Sequence, residues 1–222
     1  MLILILVKNL AAYISINPDL DEYEFLSFCH EIFEQGESLI NLAAAPDLII
    51  KMICPVTGNE TALGMDYRQV PSQKALVFKA IEERKTVFSN PMRIIQGGRG
   101  VFIRQAVYSA DKEQPWGVVT ATVDIDNIFK KSNVYDIATR FNLVIESTTE
   151  NNDKHVIYGN PFYIKNEPAL NVPMSIIDNQ WQLYISPIDG WSLSDTRVWL
   201  LRMMAALLIF VWFFRVRFLL KR

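Results

Sequence analysis

Between residues 21 and 34, aromatic and aliphatic side chains recur every three or four positions. This spacing predicts an amphipathic helix, and Asp21 followed three residues later by Glu24 has the form of a capping box at its start. An earlier apolar stretch ends near Asn17-Pro18 and predicts a preceding helix, while Gly36 is expected to end the second one. We therefore expect a helical region over residues 1–38.

The next part of the chain predicts short strands around one helix. The helix is predicted over residues 72–84, after Pro71, and the turns are predicted at Pro46-Asp47 and Gly97-Gly98. Because the last strand patterns of this part follow each other closely, an antiparallel meander is the natural arrangement. The predicted strands of this first unit cover residues 39–44, 48–53, 86–88, 92–96, 101–108 and 117–124.

A shorter unit repeats the same arrangement. A helix is predicted over residues 135–140, and strand patterns follow it at residues 143–147, 156–159, 171–177 and 181–185. Strands packed on a few helices in each unit predict an α+β fold. We assign residues 39–130 to the first module and residues 131–191 to the second.

The C-terminal stretch is strongly apolar. Its uncharged centre, residues 203–214, lies between Arg202 and the pair Arg215 and Arg217. Because Arg202 can extend its guanidinium to the interface, the usable length approaches the roughly 20 residues that a bilayer requires. A buried amphipathic helix would need a polar stripe, which this centre lacks. We predict a transmembrane helix over residues 198–220.

Basic residues follow this stretch and predict its orientation. By the positive-inside rule, Arg215, Arg217, Lys221 and Arg222 place the C-terminus in the cytoplasm and residues 1–195 in the periplasm or outside the cell. The opening residues MLILILVKNL are too short for a spanning helix and lack the features of a signal peptide. We therefore expect an inner-membrane receptor fragment whose cytoplasmic output domain, a kinase or cyclase, lies outside this chain.

Composition excludes several classes of function. The net charge of −2 is spread over both signs, and no basic run occurs in the first 200 residues, which argues against nucleic-acid binding. The chain has two cysteines and two histidines, too few for a thiolate metal site or a disulfide framework. Cys29 and Cys54 are expected to be buried apolar residues, and a bridge between them is an open alternative in an oxidising compartment.

No catalytic pattern stands out. His30 and Glu34 lie one helical turn apart without a third metal ligand, which is typical of a solvated helix face. Asp124 and Asp126 would share a face of a strand, but a helix N-cap at Asp126 or Asn127 explains them with fewer assumptions. Sequence motifs of hydrolases are absent. We predict a protein that is not an enzyme and that uses no cofactor and no metal.

Several motifs together resemble one family. They are Pro46-Asp47, PVTGNETALGMD at residues 55–66, SNPMRIIQGG at 89–98, RQAVY at 104–108, and Trp116-Gly117 before Val123-Asp124. In order and spacing this set is similar to the CHASE domain, the extracytoplasmic sensory module of receptor kinases and nucleotide cyclases, over residues 10–191. The resemblance implies a long N-terminal stalk helix, a membrane-distal and a membrane-proximal PAS-like module, a small-molecule ligand, and a homodimer formed through the stalks.

The resemblance also implies a ligand site. Asp66 matches the acidic group that contacts the ligand in the plant cytokinin receptors, Ile95 matches an aliphatic wall residue, and Arg104 matches a strand residue. Those receptors carry a small hydroxyl residue where this chain has Arg104. Because a guanidinium binds carboxylates and phosphates, we expect an anionic ligand here and not cytokinin. The alternative is an internal ion pair between Asp66 and Arg104.

Alternation along residues 101–108 supports the position of the arginine. Arg104 shares a face with Phe102, Ala106 and Tyr108, which we expect to point toward the pocket. Further candidates near the same elements are Tyr67, Arg93 and Gln96, each expected at the rim or on the surface. A rival interpretation is a dimerising or adaptor membrane protein with a vestigial pocket.

Overall fold

Two antiparallel sheets, each with its own helices, make up the body of the protein. The computed structural model describes residues 2–35, 38–94, 97–109, 113–148, 153–166, 168–176, 179–191, 199–200 and 202–207. The combination of helices with antiparallel sheets confirms the predicted α+β class.

Two helices open the chain, α1 (Leu2–Ile16) and α2 (Glu22–Gln35). The predicted capping box is confirmed at the start of α2: the Glu24 amide donates to Asp21 Oδ1 at 2.8 Å, and the Asp21 amide donates to Glu24 Oε2 at 3.2 Å. The long stalk helix implied by the resemblance is therefore two helices in this chain, separated around Asn17-Pro18, where proline interrupts helical hydrogen bonding.

The first sheet has the strand order β2-β1-β6-β5-β3, with β4 paired to β5. Gly97 and Gly98, both with positive φ, connect β4 to β5, as the predicted turn requires. Helix α3 (Pro71–Glu83) packs on one side of the sheet. The strands are β1 (Leu39–Pro46), β2 (Met52–Cys54), β3 (Thr86–Phe88), β4 (Met92–Arg93), β5 (Arg99–Tyr108) and β6 (Pro115–Asp124).

Helices cover both faces of this sheet. On one face, α1 buries Val7, Leu10 and Ile14 against apolar residues of the central strands. On the other face, α3 buries Val77 and Ala80. Because both faces are buried, β1 and β6 are nearly continuous apolar runs, interrupted on the α3 side by buried Asn41, Thr120 and Thr122.

Two local predictions need correction. The strand predicted over residues 48–53 is reduced to β2, because Asp47 and Leu48 both have positive φ and turn the chain out of the sheet. The cap of helix α4 (Ile125–Lys131) is Asp124, not Asp126 or Asn127: its Oδ1 accepts from the Asn127 amide at 3.0 Å.

A disulfide joins α2 to the first sheet. Cys29 on α2 and Cys54 on β2 are bonded, with their Cα atoms 6.5 Å apart and the two residues 25 positions apart in sequence. Both side chains are buried in the core between α1, α2 and the sheet. The two cysteines are therefore buried in an apolar environment, as expected. They also form the disulfide bond that the sequence had left as an open alternative.

The second sheet has the order β8-β7-β10-β9. A core that includes Phe129, Leu143, Ile145 and Trp181 lies against it, and Val101 of β5 belongs to the same core. Besides α4, the elements of this part are α5 (Val134–Ala138), β7 (Phe141–Thr148), β8 (Lys154–Tyr158), α6 (Phe162–Asn166), β9 (Leu170–Ile176) and β10 (Asn179–Pro187).

Polar contacts connect the two sheets. Arg99 at the start of β5 forms an ion pair with Asp126 of α4, and its Nη1 donates to the Ile157 carbonyl of β8 at 2.6 Å. Ser147 of β7 donates its hydroxyl to Asn90 Oδ1 at 2.6 Å. We call this set of contacts, together with the buried Val101, the junction.

The C-terminal prediction falls largely beyond the described residues. Of residues 198–220, the structure describes 199–200 and 202–207. In the part of the chain that is described, no helix combines the length and the apolar character needed to cross a membrane.

Candidate functional site

A cavity of about 80 Å³ lies on the α3 side of the first sheet. That volume admits several water molecules, or a ligand of a few non-hydrogen atoms, because one water needs roughly 10–15 Å³ measured in this way. Apolar residues and a few polar groups line it together, the usual composition of a ligand site. The lining residues are Asn41, Ala43, Ile50, Ile53, Ala62, Met65, Tyr67, Gln73, Arg93, Ile94, Phe102, Thr120 and Thr122.

Strand register places the polar residues of the sheet side by side. Asn41 of β1 pairs with Thr122 of β6, which in turn pairs with Phe102 of β5. In the next row, Thr120 pairs with Arg104 of β5. Because side chains two positions apart on a strand share a face, all of these point toward α3. The predicted sidedness of β5 is confirmed.

Arg104 is the largest fully buried side chain of the described chain, with 0% of its surface exposed. Its guanidinium lies behind the cavity lining, 5.5 Å from the Tyr67 ring centre and 4.9 Å from the Phe102 ring centre. One nitrogen, Nη2, donates to Gln73 Oε1. Within the described residues, Nε and Nη1 have no hydrogen-bond partner.

This burial leaves a cation without a counter-charge. Desolvation lowers the pKa of Arg104, while the neighbouring Tyr67 opposes that shift. Arginine nevertheless stays protonated in proteins, so the cost of removing the charge from water remains in the folded state. The two ring faces recover part of it through cation–π attraction.

Asp66 does not compensate Arg104. Its carboxylate binds Arg68 instead: Nε of Arg68 lies 2.8 Å from Oδ1 and 3.1 Å from Oδ2, and the Arg68 amide donates to Oδ1 at 2.9 Å. The side-chain hydrogen bond from Arg68 holds the pKa of Asp66 below its usual value. The alternative of an internal ion pair between Asp66 and Arg104 is therefore wrong.

The other predicted residues have different positions. Tyr67 is 2% exposed and its hydroxyl donates to Thr120 Oγ1 at 3.1 Å, so the expectation of a rim position is wrong for it. Arg93 is exposed and lines the cavity, as expected of a rim residue. Ile95 and Gln96 lie outside the described residues.

Sequence reasoning missed Gln73, Asn41, Thr120 and Thr122. One signal was available for the two threonines, because they interrupt the apolar run VVTATV of β6 at alternate positions. Polar residues with period two in a buried strand indicate a polar patch on one face. Asn41 donates its amide to Asn59 Oδ1 at 2.6 Å, which anchors the loop that closes the cavity.

A larger groove of about 670 Å³ lies elsewhere, between α1 and the end of β5. It is open to solvent, and its basic residues are Lys8, Arg84 and Lys85. Lys85 contacts Glu83 at 3.9 Å, and Arg84 stacks 4.2 Å from the Tyr108 ring centre. Because its charged groups are hydrated or already contact other side chains, we regard this groove as an ordinary surface depression and not as a ligand site.

In the described residues no cluster of three or more His, Cys, Asp or Glu side chains could hold a metal ion.

Comparison with known proteins gives one family match and many structural neighbours. The model of the CHASE domain matches residues 15–158, more than half of the chain. No curated protein sequence matches the chain.

Three of the solved structures illustrate the structural likeness. An extracellular ligand binding receptor from Desulfohalobium retbaense is 14% identical with a TM-score of 0.60; the alignment covers 81% of this chain and 36% of that one. The ligand-binding domain of the Pseudomonas aeruginosa amino acid chemoreceptor PctC, in complex with GABA, is 14% identical with a TM-score of 0.56; the alignment covers 81% of this chain and 87% of that one. The periplasmic sensory domain of the Campylobacter jejuni chemoreceptor Tlp1 is 12% identical with a TM-score of 0.54; the alignment covers 83% of this chain and 87% of that one. At these identities the likeness shows the fold alone.

Proposed function

Since this chain belongs to the CHASE domain family and is a sensing region of a signalling receptor, we propose that it detects a small anionic molecule outside the cytoplasm. The ligand would bind in the cavity on the α3 side of the first sheet, where Arg104 would supply the counter-charge. The proposed sensing module covers residues 39–130, and the second, membrane-proximal module covers residues 131–191.

The uncompensated Arg104 carries this proposal. A fully buried guanidinium with two unsatisfied nitrogens is costly, and proteins keep such groups where a ligand or a function requires them. A carboxylate or phosphate would accept hydrogen bonds from the fork of donors and would neutralise the charge. Gln73, whose Oε1 accepts from the guanidinium, lines the cavity and would have to turn aside or share the ligand.

Asp66, Tyr67, Arg93 and Ile95 have secondary roles in this proposal. Tyr67 would form an aromatic wall, since its ring faces Arg104 and its hydroxyl is already engaged by Thr120. Arg93 would lie at the mouth and attract anions. Ile95 remains an apolar wall candidate by resemblance, and Asp66 would fix the loop beside the cavity through Arg68.

The disulfide between Cys29 and Cys54 agrees with the proposed location of the domain outside the cytoplasm. Such bonds persist in the periplasm and outside the cell, whereas cytosolic thiols are kept reduced. The apolar stretch of residues 198–220 would anchor the domain in the inner membrane with the C-terminus inside. A homodimer and a kinase or cyclase output domain would complete the receptor.

A thermal-shift screen tests the proposal on the purified protein. We expect small carboxylates or inorganic phosphate to raise Tm by several degrees, because a ligand that binds only the folded state stabilises it by about 2.7 kcal/mol at 100 times its Kd. Arg104→Met should abolish the shift. The exposed Arg140→Met is the matched control and should retain it. A shift that survives in Arg104→Met, or no shift with any anion, would reject the anion site and favour the vestigial-pocket adaptor.

A further inference from the structure

The cavity lining differs in one respect from what an amino-acid ligand requires. Within the described residues, the lining contains no Asp and no Glu, while Arg93 forms part of it and Arg104 lies behind it. The neutral polar groups of the lining are amides and hydroxyls. The local charge is therefore positive throughout.

The carboxylate next in sequence to the lining is already engaged. Asp66 accepts three hydrogen bonds from Arg68, and Arg68 also contacts Asp47 at 3.4 Å. To serve a ligand ammonium, Asp66 would have to give up this pairing. No other described side chain of the cavity could neutralise a second cation.

An ammonium group placed in this cavity would be desolvated beside two guanidinium groups. Such a group needs a carboxylate or several well-placed oxygen acceptors to replace its water, and a site without them rejects it. Thr120 Oγ1 already accepts from Tyr67, and Asn59 Oδ1 already accepts from Asn41. Hydroxyl and amide groups suit a neutral polar substituent far better than a charged one.

We propose that the ligand is a small carboxylate without an ammonium group, such as a short carboxylic or hydroxycarboxylic acid. This inference rests on the proposed anion site and narrows its ligand class. It separates this chain from the PctC domain, whose solved complex holds GABA, an amino acid. The cavity of about 80 Å³ restricts the acid to a few non-hydrogen atoms.

Matched acids that differ only in the amino group provide the test. Binding of butyrate against GABA, propionate against β-alanine, and L-lactate against L-alanine would be measured on the purified full chain by calorimetry. We expect one or more of the plain acids to bind at least about tenfold more tightly than its amino partner. An amino acid that binds as tightly as its partner, with that binding lost in Arg104→Met, would overturn this inference and leave the anion site intact. If none of these acids binds but inorganic phosphate raises Tm in the wild type and not in Arg104→Met, this inference fails and the anion site stands; if phosphate has no effect either, both fail.

A gain-of-function variant adds a second readout. Met65 lines the cavity from a half-buried position on a loop, so Met65→Glu introduces a carboxylate into the lining. The preference for plain acids should fall by about tenfold or more in Met65→Glu, because the new carboxylate pairs with the ligand ammonium. Met65→Gln introduces a side chain of the same size as glutamate but without the charge, so this variant should keep the preference for plain acids. An unchanged preference in Met65→Glu would contradict the electrostatic basis of the selectivity.

Discussion

Arg104 occupies a position where an apolar residue would fit the surroundings better. Its neighbours in register are Thr120 and Val87. Its side chain also contacts the rings of Tyr67 and Phe102 and donates to Gln73 Oε1. A charge in such a place lowers the stability of the empty protein, whereas a bound anion would reverse that effect. Stability and ligand binding therefore change in opposite directions at this residue.

This opposition gives a prediction for the ligand-free protein. Arg104→Met should raise the free energy of unfolding by about 1–3 kcal/mol, as replacement of other buried charges by apolar residues has that effect. Urea unfolding without added anion measures it. Arg99→Met is the control: Arg99 is paired with Asp126, so its loss should lower stability. A clear loss of stability in Arg104→Met would mean that the guanidinium supports the empty fold.

Sequence reasoning reached Arg104 and named Tyr67 and Phe102 near it, but it missed Gln73 and the true partner of Asp66. Alternation along β5 was sufficient to place the side chain on the pocket face, because strand periodicity is a local property. The pairing of Asp66 with Arg68 depends on a single 3₁₀ turn at Tyr67–Gln69, which no periodic pattern announces. Gln73 and Tyr67 reach Arg104 across long sequence distances, and such contacts follow from packing, not from spacing.

At the scale of elements, most of the described helices and strands were predictable. The capping box of α2 and Pro71 at the first position of α3 are local signals, and both gave helix starts within one residue of the observed ones. The strand predicted over residues 48–53 failed because Leu48, although aliphatic, adopts positive φ in a turn held by the bridge between Ile49 and Asp66. Tertiary contacts overrode the local preference there.

The disulfide is the strongest constraint on α2. Closing a loop of 25 residues stabilises a folded protein by about 3 kcal/mol, chiefly by restricting the unfolded chain. We expect the double variant Cys29→Ala and Cys54→Ala to lose about that much in chemical unfolding under oxidising conditions. The wild type with added reductant should approach the same value. If removal of the bond costs less than about 1 kcal/mol, the core around α2 must supply the constraint instead.

At the scale of the whole molecule, the junction determines whether the two sheets behave as one unit. Buried Val101 and the contacts of Arg99 with Asp126 and Ile157 bind the start of β5 to the second sheet. The presence of two sheets could be anticipated from the repeated order of elements. The junction could not, because Arg99 and Ile157 are 58 residues apart.

Hydrogen exchange can measure this coupling. Arg99→Leu removes the ion pair and the bond to the Ile157 carbonyl, so amides of β7 and β8 should exchange roughly tenfold faster, while those of β1 and β6 stay protected. Lys85→Met, which removes only an exposed contact with Glu83, is the control and should change neither sheet. Uniform acceleration in both sheets would instead indicate that the molecule opens as a single cooperative unit.

One strand, β5, carries Arg99 at its first position and Arg104 five positions later. Odd and even positions of this strand face opposite sides of the sheet, so adding or deleting one residue between the two arginines would place both on the same side. With Arg99 held in the junction, the Arg104 guanidinium would then enter the apolar layer under α1. Insertions and deletions in this protein should accordingly be confined to its loops. Among functional variants, the number of residues between Arg99 and Arg104 should stay even, so that the two side chains remain on opposite sides of the sheet.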